Sequence, residues 1–140
     1  MFFLVYVSAA VTWFSDAELQ ALLRNCRPQN QQAGITGMLL YKDGNFMQVL
    51  EGDELTVRAL LQRIAADLRH RGMVTLDSGH TLERQFFGWH MGFANLNTDT
   101  SVAGLPEGYS AFMDLPLTDT GFGQGPGHCW QLLRLFRQLD

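Results

Sequence analysis

Gly34-Ile35-Thr36-Gly37-Met38-Leu39-Leu40-Tyr41-Lys42-Asp43-Gly44-Asn45-Phe46-Met47-Gln48-Val49-Leu50-Glu51 is the stretch that decides the fold. Two apolar runs flank Asp43-Gly44, a dipeptide suited to tight hairpin turns, which predicts antiparallel strands over 34–41 and 45–51. Both runs are apolar at consecutive rather than alternate positions, so both faces of these strands are expected to be covered. Gln48 stands inside the second run, and burying it unpaired would cost about 1–3 kcal/mol. Tyr6 stands in the same way within Phe2-Phe3-Leu4-Val5-Tyr6-Val7, and Asn30 lies just ahead of the hairpin. A phenol, a glutamine and an asparagine can together serve a flat, apolar ligand with a polar edge.

Upstream, residues 2–8 read as a first strand. Ser15-Asp16-Ala17-Glu18 is a capping box, and Leu19, Leu22, Leu23 and Cys26 follow at the spacing of an amphipathic helix. Pro28 is expected to end that helix. Downstream, Asp53 reads as the N-cap of a second helix whose stripe is Val57, Leu60, Leu61, Ile64 and Leu68, with Gly72 as its stop. Residues 73–82 and 85–95 read as two further strands. Residues 97–127 are rich in Gly, Pro, Asp and Thr and read as a linker. Residues 128–139, with Trp130, Leu132, Leu133, Leu135, Phe136 and Leu139, read as a last amphipathic helix.

The order βαββαββ predicts an α+β, ferredoxin-like sheet with both helices on one face. The C-terminal helix is expected to cover the other face. Residues 1–97 then form the main domain, and 98–140 the linker and packing helix.

With 140 residues, 46% of them hydrophobic and 17% charged, the chain is long enough for one globular domain with a real core. A net charge of −4 argues against broad nucleic-acid binding. Lys42 is the sole lysine among ten basic residues. Cys26 and Cys129 form no CxxC or Cys/His cluster, so no metal site is expected, and they point to a reducing, cytoplasmic setting. No apolar run is long enough to span a membrane.

The chain resembles the BLUF domain, a blue-light sensor that uses flavin. The resemblance covers about residues 2–96. It rests on Tyr6-Val7-Ser8, Asn30 ahead of Gly34-Ile35-Thr36-Gly37, and Phe46-Met47-Gln48-Val49-Leu50-Glu51-Gly52. Further matches are Asp67-Leu68-Arg69-His70, Glu83-Arg84-Gln85-Phe86 and Trp89-His90-Met91-Gly92. It implies FAD held non-covalently between the two helices, with Tyr6 as the photo-oxidised tyrosine and Gln48 as the switch glutamine. It implies Asn30 at the ring edge, Ile64 in the wall, and Asp67, Arg69 and His70 on the ribityl or phosphate side. Trp89, Met91 and Ser8 would relay the signal, Trp89 and Met91 from strand five. Gln29 stands where many members have a second asparagine, and His90 where serine is common. The resemblance implies a sensor rather than an enzyme, with output through a partner protein in trans, and it permits a homodimer.

Plainer readings exist. Tyr6, Trp89 and Met91 would be core residues, Gln48 an exposed edge-strand residue, and Asn30 a turn residue. Asp67, Arg69 and His70 would be solvated residues at a helix end. Two further functions suit the same scaffold: a flavin-dependent oxidoreductase or acylphosphatase-like hydrolase using Arg27 and Asn30, and a flavin-free interaction module.

Overall fold

The computed structural model describes residues 1–95; the expected linker over 97–127 and helix over 128–139 lie outside the described residues. The elements are β1 (Phe2–Ala10), α1 (Asp16–Ala33), β2 (Thr36–Lys42), β3 (Asn45–Gly52), α2 (Glu54–Ala65), β4 (His70–His80) and β5 (Gly92–Asn95). The sheet runs β4-β1-β3-β2-β5. All neighbours are antiparallel except β2 and β5, which run parallel. The α+β, ferredoxin-like arrangement expected from the sequence is therefore present.

Register explains the two apolar faces. Tyr6 lies opposite Gln48, which lies opposite Leu39, so these three share a face. Phe2, Leu4, Phe46, Leu50 and Tyr41 join them in one core cluster with Leu19 and Leu23 of α1 and Val57 of α2. Each side chain so buried contributes about 1.5–3 kcal/mol. The other face carries Phe3, Val5, Met38, Leu40, Met47 and Val49, all buried as well. Consecutive apolar positions in β1 to β3 thus do mark strands covered on both sides.

Local signals act as their chemistry dictates at the starts of the helices. Ser15 accepts from the Glu18 N–H while the Glu18 carboxylate accepts from the Ser15 N–H, which completes the capping box. Asp53 caps α2 through the Thr56 N–H. The ends differ from expectation. α1 continues through Pro28 to Ala33 and stops at Gly34, whose φ of 71° suits a left-handed cap. Arg24 and Pro28 lie on the exposed side of α1, where water can serve the carbonyl that proline leaves unbonded.

α2 stops at Ala65, earlier than its apolar stripe suggests, and Leu68 is 90% exposed. The Ile64 carbonyl is taken by the Asp67 N–H at 3.0 Å and by the His70 ring at 2.5 Å, which turns the chain into β4. Gly72 lies inside β4, with φ of 66° at a register shift between Val7 and Ala9, rather than ending a helix.

The expected strand over 85–95 shrinks to Gly92–Asn95. Gln85 and Phe86 direct their N–H groups at the Glu51 carboxylate instead of a neighbouring strand. Trp89 N–H then closes a turn onto the Phe86 carbonyl at 3.0 Å, with Gly88 at φ 82°. Trp89 and Met91 therefore precede β5 rather than sit on it.

Gly37 is the tightest point of the hairpin. A Cβ there would lie 1.9 Å from the Val49 main-chain oxygen. The Gly37→Ala variant should lose about 3 kcal/mol in urea unfolding, because β2 must shift from β3; an unchanged midpoint would show that the hairpin yields without cost.

Candidate functional site

A cleft opens over the helix-bearing face, between α1 and α2. It is a narrow slot of about 120 Å³, open to solvent at its mouth. Leu22 and Cys26 of α1 and Leu60 and Ile64 of α2 form its walls, and all four are only half-buried. The helix stripes thus face a slot as well as the core.

The floor is polar. The Tyr6 hydroxyl donates to Gln48 Oε1 at 2.5 Å, and Gln48 Nε2 donates to the Met91 sulfur at 3.2 Å. Gln48 is 7% exposed and Tyr6 3%. Burial holds the Tyr6 phenol well above the ordinary tyrosine range, with the Cys26 thiol and the Asp67 carboxylate adding to the effect. Burial likewise pushes the Cys26 thiol up. Ser8 also lines the cleft, and its hydroxyl is buried with no partner. The Met91 methyl lies over Gly37, where a Cβ would come within 3.3 Å of it.

Asn30 reaches the cleft because α1 runs past Pro28. Its Nδ2 donates to the His90 carbonyl at 2.7 Å. Arg27 Nε donates to the Met91 carbonyl at 3.0 Å, and the Gly37 N–H to the Trp89 carbonyl at 3.0 Å. Three consecutive carbonyls, at 89, 90 and 91, are thereby fastened to α1 and β2. Arg27 and Asn30, the pair an acylphosphatase-like anion site would use, both serve main-chain carbonyls here.

The mouth is charged. Asp67 accepts from the Arg69 N–H at 2.9 Å and from its guanidinium at 2.7–3.1 Å. That pairing lowers the Asp67 carboxyl to about 2 and raises the Arg69 guanidinium. The guanidinium also lies over the Phe14 ring, 5.6 Å from its centre. Among the described residues, no cluster suited to a metal ion is present.

Of the residues singled out from the sequence, the cleft brings together Tyr6, Ser8, Asn30, Gln48, Ile64, Asp67, Arg69 and His70. Gln29 is exposed on α1 and outside the lining. Met91 is buried beneath Gln48, whereas Trp89 is half-buried and lies against Gly92 and the Phe86 ring. Sequence reasoning passed over Phe14. The signal for it was a hydrophobic staple: Phe14 precedes the Ser15 cap, Leu19 sits four positions into the helix, and half-buried Phe14 packs against the core cluster that contains Leu19.

A family model described as sensors of blue-light using FAD, BLUF, matches residues 1–92. The chain belongs to the BLUF family. The beta subunit of photoactivated adenylate cyclase from Euglena longa is 37% identical over 83 residues, which is 59% of this chain and 10% of that protein. The blue light- and temperature-regulated antirepressor BluF of Escherichia coli is 30% identical over 69 residues, 49% of this chain and 17% of that protein. The chain thus spans about a tenth of the length of the first of these relatives and under a fifth of the second. The dark-state structure of BlrB, a BLUF protein, superposes with a TM-score of 0.67 at 28% identity. It covers 97% of this chain and 94% of that one. Klebsiella pneumoniae BlrP1 gives 0.75 at 28% identity, over 97% of this chain and 32% of that one.

BLUF domains sense blue light with a bound flavin, and the residues present fit that group. The unpartnered Ser8 hydroxyl and two buried carboxamides offer polar partners on the floor, while the aliphatic walls suit an aromatic ring system. Arg69 and His70 at the mouth suit an anionic tail.

The Tyr6 phenol should remain protonated at pH 10, where an ordinary tyrosine is half-ionised. Its folded pKa lies above the unfolded one, so its contribution to stability is complete below pH 10 and fades as pH rises through the folded value. Folded wild type and Tyr6→Phe should show equal phenolate absorbance at pH 10, and differ only in denaturant, by about half of one tyrosine's full phenolate signal. A difference between the folded proteins would contradict this.

Proposed function

We propose that Tyr6, Gln48 and Met91 form the light-operated switch of this BLUF domain, and that it signals to a separate partner protein rather than catalysing a reaction. The observation that carries this reading is the relay on the cleft floor, phenol to carboxamide to thioether. A flavin held by Asn30, Gln48 and Ile64 would supply a blue-light-driven acceptor for one electron and one proton.

Tyr6 supplies both from one oxygen, so no net charge persists in a low-dielectric site. Gln48 bridges the transfer because a carboxamide carries an acceptor and a donor at nearly equal size. When the proton returns, the amide is left with its two ends exchanged. Its nitrogen then faces the Tyr6 oxygen, which accepts. Its oxygen faces the Met91 sulfur, which has no proton to give. The Gln48–Met91 bond is therefore the one that reorientation breaks, and the segment through Trp89 and Met91 leads directly into β5.

Asn30 and Ser8 hold the polar edge of the ring, Ile64 its face, and Asp67, Arg69 and His70 its tail. Asp67 acts here by fixing the Arg69 fork. Gln29 faces solvent, so its difference from asparagine bears on the surface of α1 rather than on the ring. BLUF domains signal to attached effector domains or to partners, and the described residues contain no second domain. Among them, no helix is long and apolar enough to cross a membrane, and Cys26 is unbridged, in keeping with a cytoplasmic setting.

The test is one absorption spectrum before and after a blue flash. Wild type should be yellow and show a small, reversible red shift. Gln48→Leu and Tyr6→Phe should bind flavin and show none. A colourless protein that FAD cannot reconstitute would overturn the reading.

A further inference from the structure

Resting on that switch, we infer that Glu51 is a positioning residue for it, seating Met91 beneath Gln48 from the opposite face of the same strand. Gln48 and Glu51 are three residues apart on β3, so they point to opposite faces. Glu51 is fully buried. A buried carboxylate persists only where hydrogen bonds replace its water. Here Oε1 accepts from the Thr36 hydroxyl at 2.7 Å and the Phe86 N–H at 2.7 Å, and Oε2 accepts from the Gln85 N–H at 2.9 Å.

Two consecutive main-chain N–H groups thus converge on one carboxylate. That convergence removes residues 85 and 86 from any strand ladder and starts the turn closed by Trp89 on Phe86. Phe86 is itself buried. Arg84 braces the same corner, with Nη1 on Thr36 Oγ1 at 2.9 Å and on the Glu51 carbonyl at 3.3 Å, and Nη2 on the Gly34 carbonyl at 2.7 Å. The segment from Arg84 to Met91 is therefore gripped at both ends by β3, by Glu51 at its start and by Gln48 at its finish. The light reaction makes no use of Glu51. Its effect is to fix where the chain begins its path to Met91, and hence how well the sulfur meets the Gln48 amide.

Glu51→Gln keeps the shape but replaces one acceptor oxygen with a donor that opposes an N–H. It should bind flavin and keep its unlit colour. Its return from the red-shifted state should slow about fivefold, the effect of roughly one hydrogen bond, because the seat that receives the amide is loosened. In a Met91→Leu background the same change should have no further effect, since the sulfur it positions is gone. Amide exchange in the flavin-free chain should quicken at Gln85, Phe86 and Trp89. Should Glu51→Gln fail to fold, Thr36→Val, alone and with Met91→Leu, carries the same comparison with a smaller slowing. Unchanged return beside a light-responsive wild type overturns this role alone, as does an equal slowing with and without Met91. A wild type that gives no flash-induced shift overturns the switch and this role together.

Discussion

Everything in this domain is arranged around a carboxamide that sits in the central strand of the sheet with both ends engaged. The Gln48 oxygen receives the Tyr6 phenol, and its nitrogen is directed at a thioether. A neutral hydrogen bond contributes about 1 kcal/mol net, and a thioether is the weakest acceptor among the side chains that could stand there. The amide is therefore satisfied but not strongly held at its donor end. Its two orientations differ by roughly one weak bond and one unmet oxygen, which is the small gap a bistable element needs. An arginine or a carboxylate in place of Met91 would lock the amide. An aliphatic residue would leave its nitrogen unpaired.

The chain carries out this arrangement with a strand that is polar on both sides. β3 points Gln48 into the cleft and Glu51 away from it, and each side chain grips the one segment that follows β4. The same segment is fastened to α1 by the bonds from Asn30 to His90 and from Arg27 to Met91. Residues 84–91 lie outside helix and strand, yet several of their main-chain groups are held by β2, β3 or α1: the N–H groups of 85 and 86 by Glu51, and the carbonyls of 89, 90 and 91 by Gly37, Asn30 and Arg27. Irregular backbone survives in a buried setting only on that condition. Apart from the Gly37 N–H on the Trp89 carbonyl, these holds are single side chains, Glu51, Asn30, Arg27 and Gln48.

What could be read from the sequence was what depends on near neighbours. Asp43-Gly44, the Ser15–Glu18 box and the Asp53 cap are contacts over three or four residues, and each forms as its chemistry requires. The same holds for the floor of the cleft: Tyr6 and Gln48 meet because the apolar runs that contain them pair in register. What could not be read depends on distant partners. Pro28 does not stop α1, since the bond it removes lies on the wet side of the helix. Yet the positions of Leu19, Leu23, Cys26 and Asn30 are those of one continuous helix face, and this places Asn30 inward and Gln29 outward. α2 stops early because the His70 ring and the Asp67 N–H claim the Ile64 carbonyl. The run over 85–91 has the composition of a strand, but its first two N–H groups belong to Glu51, more than thirty residues away. A carboxylate amid Val49, Leu50 and Gly52 was the available signal. A buried charge requires partners, and those partners fix the shape of whatever segment supplies them.

The half-buried walls carry the last consequence. Leu22, Cys26, Leu60 and Ile64 lie on the helix faces that should close the core, yet they border an open slot. A ring bound there removes apolar surface from water on both its sides, so the ligand completes the core and stabilises the fold by mass action. α1 is at once a wall of that slot and, through Asn30 and Arg27, an anchor of the segment that carries Met91. The cleft and the relay thus share a helix as well as a glutamine. On the proposed switch, a change of hydrogen bonding on the floor would therefore act where the segment leaves the core, because no independent layer of structure lies between the two.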